Sequence, residues 1–124
     1  MRTFFCIVLY CFMIFSMDCF AEEVRNFDDA VILSKSSGKK IFLYFGAEWC
    51  VYCTKMNNLF YEKDVSERLD KFIVLKLDKD IETGLVEKFS VKSIPDYMIL
   101  DSKENILKRD KGYKTKSNFL LWLK

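Results

Sequence analysis

The chain is predicted to be an α/β protein, with a central mixed β-sheet flanked by helices on both faces. Three observations carry that prediction. Ile41-Phe42-Leu43-Tyr44-Phe45 is continuously apolar, as a strand buried on both faces has to be. Apolar positions at helical spacing precede and follow it, so that helix and strand alternate along the chain. Near the end, residues 97–100 and 106–109 are two strand-like runs joined by a polar stretch over 101–105, the pattern of an antiparallel hairpin.

The elements follow in order. Asn26 reads as a helix N-cap, with Asp29 three positions on and Phe27, Ala30, Val31 and Ser34 along one face; Gly38 is the stop, so a helix is predicted over 27–37. After the strand at 41–45, Gly46 and Ala47 open a turn. From 51 to 61 the apolar positions Met56, Leu59 and Phe60 keep helical spacing, and Val65 and Leu69 extend the pattern past a break near Asp64. Residues 72–77 form a short apolar strand. Residues 81–89 read as a weaker helix, because Gly84 lies inside it. Residues 90–94 are a loop before the hairpin, and 117–123 close the chain as a helix with Phe119, Leu120 and Leu123 facing inward.

The 124 residues carry a formal charge of +2, a balance that implies neither nucleic acid nor an acidic membrane as partner. Met1 and Arg2, an apolar core from Phe4 to Phe15, and the small-x-small site Cys19-Phe20-Ala21 ahead of Glu22 and Glu23 have the anatomy of a secretory signal peptide. The core falls short of the roughly 20 residues of a membrane-spanning helix. Retention as an anchor is the alternative; acylation at Cys19 fits poorly with Asp18 before it. The division expected is a signal peptide over 1–21 and one domain over 22–124. That domain is expected outside the inner membrane, in the periplasm, as a monomer with no membrane span.

Three of the five cysteines, Cys6, Cys11 and Cys19, lie in the leader, which leaves Cys50 and Cys53 as the dithiol of the domain. A disulfide across so short a loop removes little chain entropy, so its use is chemical rather than mechanical. The absence of histidine excludes Cys/His zinc sites and Cys-His nucleophilic catalysis. Half a zinc ribbon has the same Cys-x-x-Cys spacing, but a ribbon needs a second pair that 22–124 lacks. Two inert core cysteines are the remaining alternative. A thiol at the first turn of a helix meets unpaired N–H groups and the positive end of the dipole, which favour its thiolate. Cys50 has that place, and Cys53, one turn on, is expected to be the deeper. Neither metal nor cofactor is called for. Pro95, the only proline, reads from the residues alone as a proline tolerated at the start of a strand.

The run Phe45-Gly46-Ala47-Glu48-Trp49-Cys50-Val51-Tyr52-Cys53, with Ile94-Pro95 downstream, closely resembles the thioredoxin superfamily. Within it, the chain looks most like exported thioredoxin-like domains such as the C-terminal domain of the periplasmic thiol:disulfide interchange reductase. The resemblance implies a thioredoxin fold over most of 24–124, Cys50 as nucleophile, Cys53 as resolving thiol, and a redox disulfide between them. It also implies Trp49 flanking the site, Pro95 as a cis-proline packed against the pair, and the backbone of Ile94 pairing with an extended substrate. Two positions depart from the family pattern. Tyr44 stands where thioredoxins have a buried acid, and Asn57 where the reductase domains tend to have a second one. Glu48 is a candidate substitute for proton transfer, or simply an exposed turn carboxylate. Tyr52 is either a partner contact or packing against a neighbouring loop. The basic stretch Lys108, Arg109, Lys111, Lys114 and Lys116 reads as charges that keep an edge strand from pairing with other sheets, with a docking patch as the alternative.

Val51 and Tyr52 bring no positive charge between the cysteines, so the expected potential lies on the reducing side, below about −200 mV. The expected function is reduction or exchange of disulfides in exported proteins, resupplied by an upstream thiol electron donor. The alternatives are an oxidase or isomerase on the same scaffold, and a binding module that has kept the fold without turnover.

Overall fold

The computed structural model describes residues 24–124, and the leader read over 1–21 lies outside the described residues. Along the chain run α1 (Phe27–Ser37), β1 (Ile41–Gly46), α2 (Val51–Phe60), α3 (Lys63–Leu69), β2 (Ile73–Asp78), α4 (Thr83–Lys88), β3 (Asp96–Leu100), β4 (Ile106–Lys111) and α5 (Lys116–Trp122). The four strands form one mixed sheet in the order β2-β1-β3-β4. β1 pairs parallel with β2, and β3 is antiparallel to both β1 and β4.

The period-two alternation of β1 divides the core in two. Ile41, Leu43 and Phe45 face one side, with Ile73, Leu75, Leu77, Met98 and Leu100, against Phe27 and Ala30 of α1 and against Phe89 and Val91. Phe42 and Tyr44 face the other, with Tyr97 and Ile99, against Met56 and Phe60 of α2, Val65 of α3 and Phe119 of α5. Every residue of β1 is therefore buried, which is why its sequence shows no polar alternation.

Asn26 caps α1 by accepting the Asp29 N–H at 2.9 Å. Gly38 ends the helix in the left-handed region at φ 74° and donates its N–H to the Ser34 carbonyl. Three boundaries differ from the sequence expectation by more than one residue. The helical pattern breaks at Tyr61 and Glu62, where Glu62 turns extended, so α3 is an element of its own. α4 begins only at Thr83, because Asp78 organises the preceding turn: its carboxylate accepts the Asp80 N–H and its carbonyl the N–H groups of Ile81 and Glu82. β4 runs on to Lys111, opposite Asp96.

The pairing brings four chain segments to one end of the sheet. Gly46 at the end of β1 lies beside Asp78 at the end of β2, Phe45 beside Asp96 at the start of β3, and Asp96 beside Lys111 at the end of β4. The turn into α2 is at that end, so the dithiol stands between the loops of β2 on one flank and those of β3 and β4 on the other.

Candidate active site: a dithiol at one end of the sheet

Cys50 is the N-cap of α2. Its backbone is extended (φ −85°, ψ 110°) and its Sγ accepts the Cys53 N–H at 3.2 Å, the place a serine or aspartate oxygen usually takes. Thr54 donates its hydroxyl to the Cys50 carbonyl at 3.3 Å, and the Cys50 N–H donates to the Ala47 carbonyl at 3.2 Å. The turn is thus fixed on both sides of the sulfur. Cys50 and Cys53 are joined as a disulfide, with their Cα atoms 5.1 Å apart, and Cys53 is the deeper of the two.

Across from the sulfurs lies the loop before β3. The Ile94–Pro95 peptide is cis, Pro95 is fully buried, and the Ile94 carbonyl oxygen is 3.9 Å from Cys50 Sγ. A disulfide sulfur has no proton to give, so this is a contact rather than a hydrogen bond. Around it Trp49, Val51 and Tyr52 are 66%, 67% and 58% exposed and form an apolar rim beside the sulfurs. Trp49 is held in place by its indole N–H, which donates to Asp80 Oδ2 at 2.7 Å. Tyr52 points outward, with the Lys55 ammonium 5.4 Å from its ring centroid.

Behind Cys53 a cleft of about 420 Å³ is lined by Tyr44, Glu48, Cys53, Asn57, Lys76 and Asp78, among others. The Tyr44 hydroxyl donates to the Cys53 carbonyl at 3.2 Å. Burial pushes the Tyr44 phenol up to about 12, so at neutral pH it is a donor and not a base. Gly46 makes room for it: a Cβ there would stand 2.8 Å from Tyr44 Cε1 and 2.9 Å from its hydroxyl oxygen. Asn57 accepts from Lys76 Nζ at 3.0 Å. Glu48 is exposed at the mouth of the cleft.

Sequence reasoning missed the residues that hold the loop carrying Pro95. Asp96 is buried and receives Arg109 in a two-pronged pair, Nε to Oδ1 at 3.1 Å and Nη2 to Oδ2 at 2.6 Å. Arg109 also donates to the Phe89 carbonyl at 2.7 Å, which ties the loop before Pro95 to β4. Its neighbours in the basic stretch are mostly occupied as well: Lys108 donates to the Trp122 carbonyl, Lys114 pairs with Asp110, and Lys116 with Glu62 and Asp64. Gly112, at φ 82°, donates its N–H to the Pro95 carbonyl at 2.8 Å, and its own carbonyl accepts the Tyr97 hydroxyl at 3.0 Å. The aspartate directly after Pro95 was the one signal in the sequence, since an acid at the start of a buried strand needs a cation.

A sulfur pair closed at the head of the helix that follows the central strand, on a mixed sheet covered on both faces, is the arrangement of thiol–disulfide oxidoreductases with the thioredoxin fold. The chain belongs to the thioredoxin-like family, whose model matches residues 22–102. Over 98 residues it is 31% identical to the thiol:disulfide interchange protein DsbD of Actinobacillus pleuropneumoniae serotype 5b (strain L20), a match covering 73% of this chain and 17% of that protein. It is 36% identical over 72 residues to thioredoxin 2 of Plasmodium falciparum (isolate 3D7), covering 56% of this chain and 44% of the other. The chain therefore spans less than half the length of each of these two relatives. The solution structure of a thioredoxin from Thermus thermophilus superposes with a TM-score of 0.70 at 27% identity, covering 78% of this chain and 80% of that one.

Proposed function

We propose that the protein is an exported thiol–disulfide oxidoreductase that reduces or exchanges disulfides of secreted or periplasmic proteins. The observation that carries this reading is the seat of Cys50: its sulfur caps a helix, accepts a backbone N–H, and faces an exposed apolar rim. In the reduced protein Cys50 is the nucleophile. The same N–H and the open end of α2 favour its thiolate, which attacks a partner disulfide. One S–S bond breaks, a mixed disulfide forms, and a partner thiolate leaves. Cys53 gives up its proton and attacks the Cys50 sulfur, which closes Cys50–Cys53 and releases the second partner thiolate. Two electrons have passed to the partner, and an upstream thiol donor returns them by the reverse exchange.

Trp49 and Pro95 shape the rim, and the backbone of Ile94 is the edge on which an extended partner segment pairs. The leader read over 1–21 supports export to the periplasm. The reducing direction rests on Val51 and Tyr52, which place no charge beside a thiolate.

In Cys53→Ala the mixed disulfide has no resolving thiol, so exported proteins accumulate on Cys50 and are identified after purification under non-reducing conditions. An empty trap would set the reading aside in favour of a binding module. Equilibration with glutathione and thiol counting is expected to give a potential below about −200 mV, whereas a value near −120 mV would reverse the direction.

A further inference from the structure

We propose that the β4 flank of the dithiol is a charge-reading subsite, in which Lys55, held between Tyr52 and Tyr113, takes an acidic side chain next to the partner's reactive cysteine. The inference rests on the exchange reading of the same site and adds the kind of partner segment that fits it. Tyr52 and Lys55 are three apart on α2 and share its exposed face. Lys55 Nζ lies 5.4 Å from the Tyr52 ring centroid and 5.9 Å from that of Tyr113. The two rings order the ammonium without neutralising it.

Its charge is available. Lys114 and Lys116 nearby are paired with carboxylates, whereas Lys55 has no carboxylate partner among the described residues. The platform is also fixed. Tyr113 follows Gly112, which is bonded to the Pro95 carbonyl, and precedes Lys114, whose N–H donates to Met56 Sδ of α2 at 3.4 Å. Tyr113 is thus tied both to the proline opposite the dithiol and to the helix that carries Lys55.

The other flank has the opposite sign. Glu48, Asp78, Asp80 and Glu82 are gathered at the turn after β1 and the loop after β2, and these four acids outnumber the two bases there, Lys79 and the cleft-lining Lys76. Trp49 is bonded to Asp80 on that flank, as Lys55 is packed on Tyr113 on this one. Charge therefore runs from negative to positive across the dithiol. A segment paired along Ile94 crosses that gradient, and favourable pairing puts its acidic residue over Lys55.

The test uses three peptides with one internal disulfide each, identical except for glutamate, glutamine or lysine beside the attacked cysteine. Reduction by the purified, reduced protein is followed by stopped flow. At low ionic strength the glutamate peptide is expected to react about threefold faster than the lysine peptide, with glutamine between them. The spread should collapse at about 0.5 M salt, where the screening length is a few ångströms. Lys55→Gln is expected to flatten the ranking and Lys55→Glu to reverse it. Equal rates for the three peptides, or a ranking unchanged in Lys55→Glu, would overturn the subsite. Failure to reduce even the glutamine peptide would instead overturn the exchange reading beneath it.

Discussion

Tyr44 brings a neutral phenol to the carbonyl of Cys53, and its neutrality has consequences that can be measured. Unfolded tyrosine ionises near pH 10, while the buried phenol keeps its proton to about 12. Between those values the unfolded chain binds fewer protons than the folded one, so stability, complete below pH 10, falls as pH rises through the window. Tyr44→Phe removes this contribution, and its stability should fall less steeply from pH 10 to 12 in urea titrations; Tyr97, whose phenol is also raised by burial, keeps part of the slope. At neutral pH the same variant loses one buried hydrogen bond, about 1 kcal/mol. A phenol that ionises only near pH 12 does not take the proton of Cys53. The pH dependence of the resolving step below about pH 9 should therefore be unchanged in Tyr44→Phe, and loss of a titrating limb there would show that the phenol takes part. Tyr44 and Asn57 were legible in the sequence as departures from the family pattern. That one would reach the Cys53 carbonyl and the other accept from Lys76 was not, because both depend on how α2 lies on the sheet.

The loops at this end of the sheet are held by a few interactions between elements. Arg109→Met strips the buried Asp96 of its cation and frees the Phe89 carbonyl. The expected cost is about 3 kcal/mol, toward the low end for breaking a buried pair because Arg109 is partly exposed. It should appear as a lower urea midpoint at unchanged slope. Gly112→Ala forces a side chain into the left-handed region, at a cost of about 1 kcal/mol, and should loosen the bond to Pro95. Helices and strands were legible at this scale because caps and periods are local: Asn26 and Gly38 bound α1 as read. Where a boundary departs from the helical pattern, contacts from outside that pattern lie at it. Asp78 holds residues 80–82 in a turn, although the apolar Ile81 continues the helical pattern, and at the start of α3 Glu62 and Asp64 pair with Lys116 of α5. Arg109 was likewise hidden in a basic run whose members find their partners only in three dimensions.

Two apolar layers on either side of one sheet account for the whole molecule. The fold was legible because β1 is apolar at every position, and only a strand covered on both faces tolerates that. The layer over α2 has an aromatic centre: Phe119 packs with Phe42, Phe60 and Tyr97 at ring-centroid distances of 5.9, 5.5 and 5.8 Å. Phe119→Ala should cost about 3–5 kcal/mol, read as a fall in the urea midpoint, with the far-UV spectrum of the folded form retained. Phe119 also has a consequence for biogenesis. It is contributed by the last helix, yet it seals the layer on which the dithiol helix rests. Because α5 follows α2 in the chain, that layer stays open during synthesis until Phe119 has emerged. Until Phe119 is in place, the helix that carries Cys50 and Cys53 lacks part of the wall against which it packs.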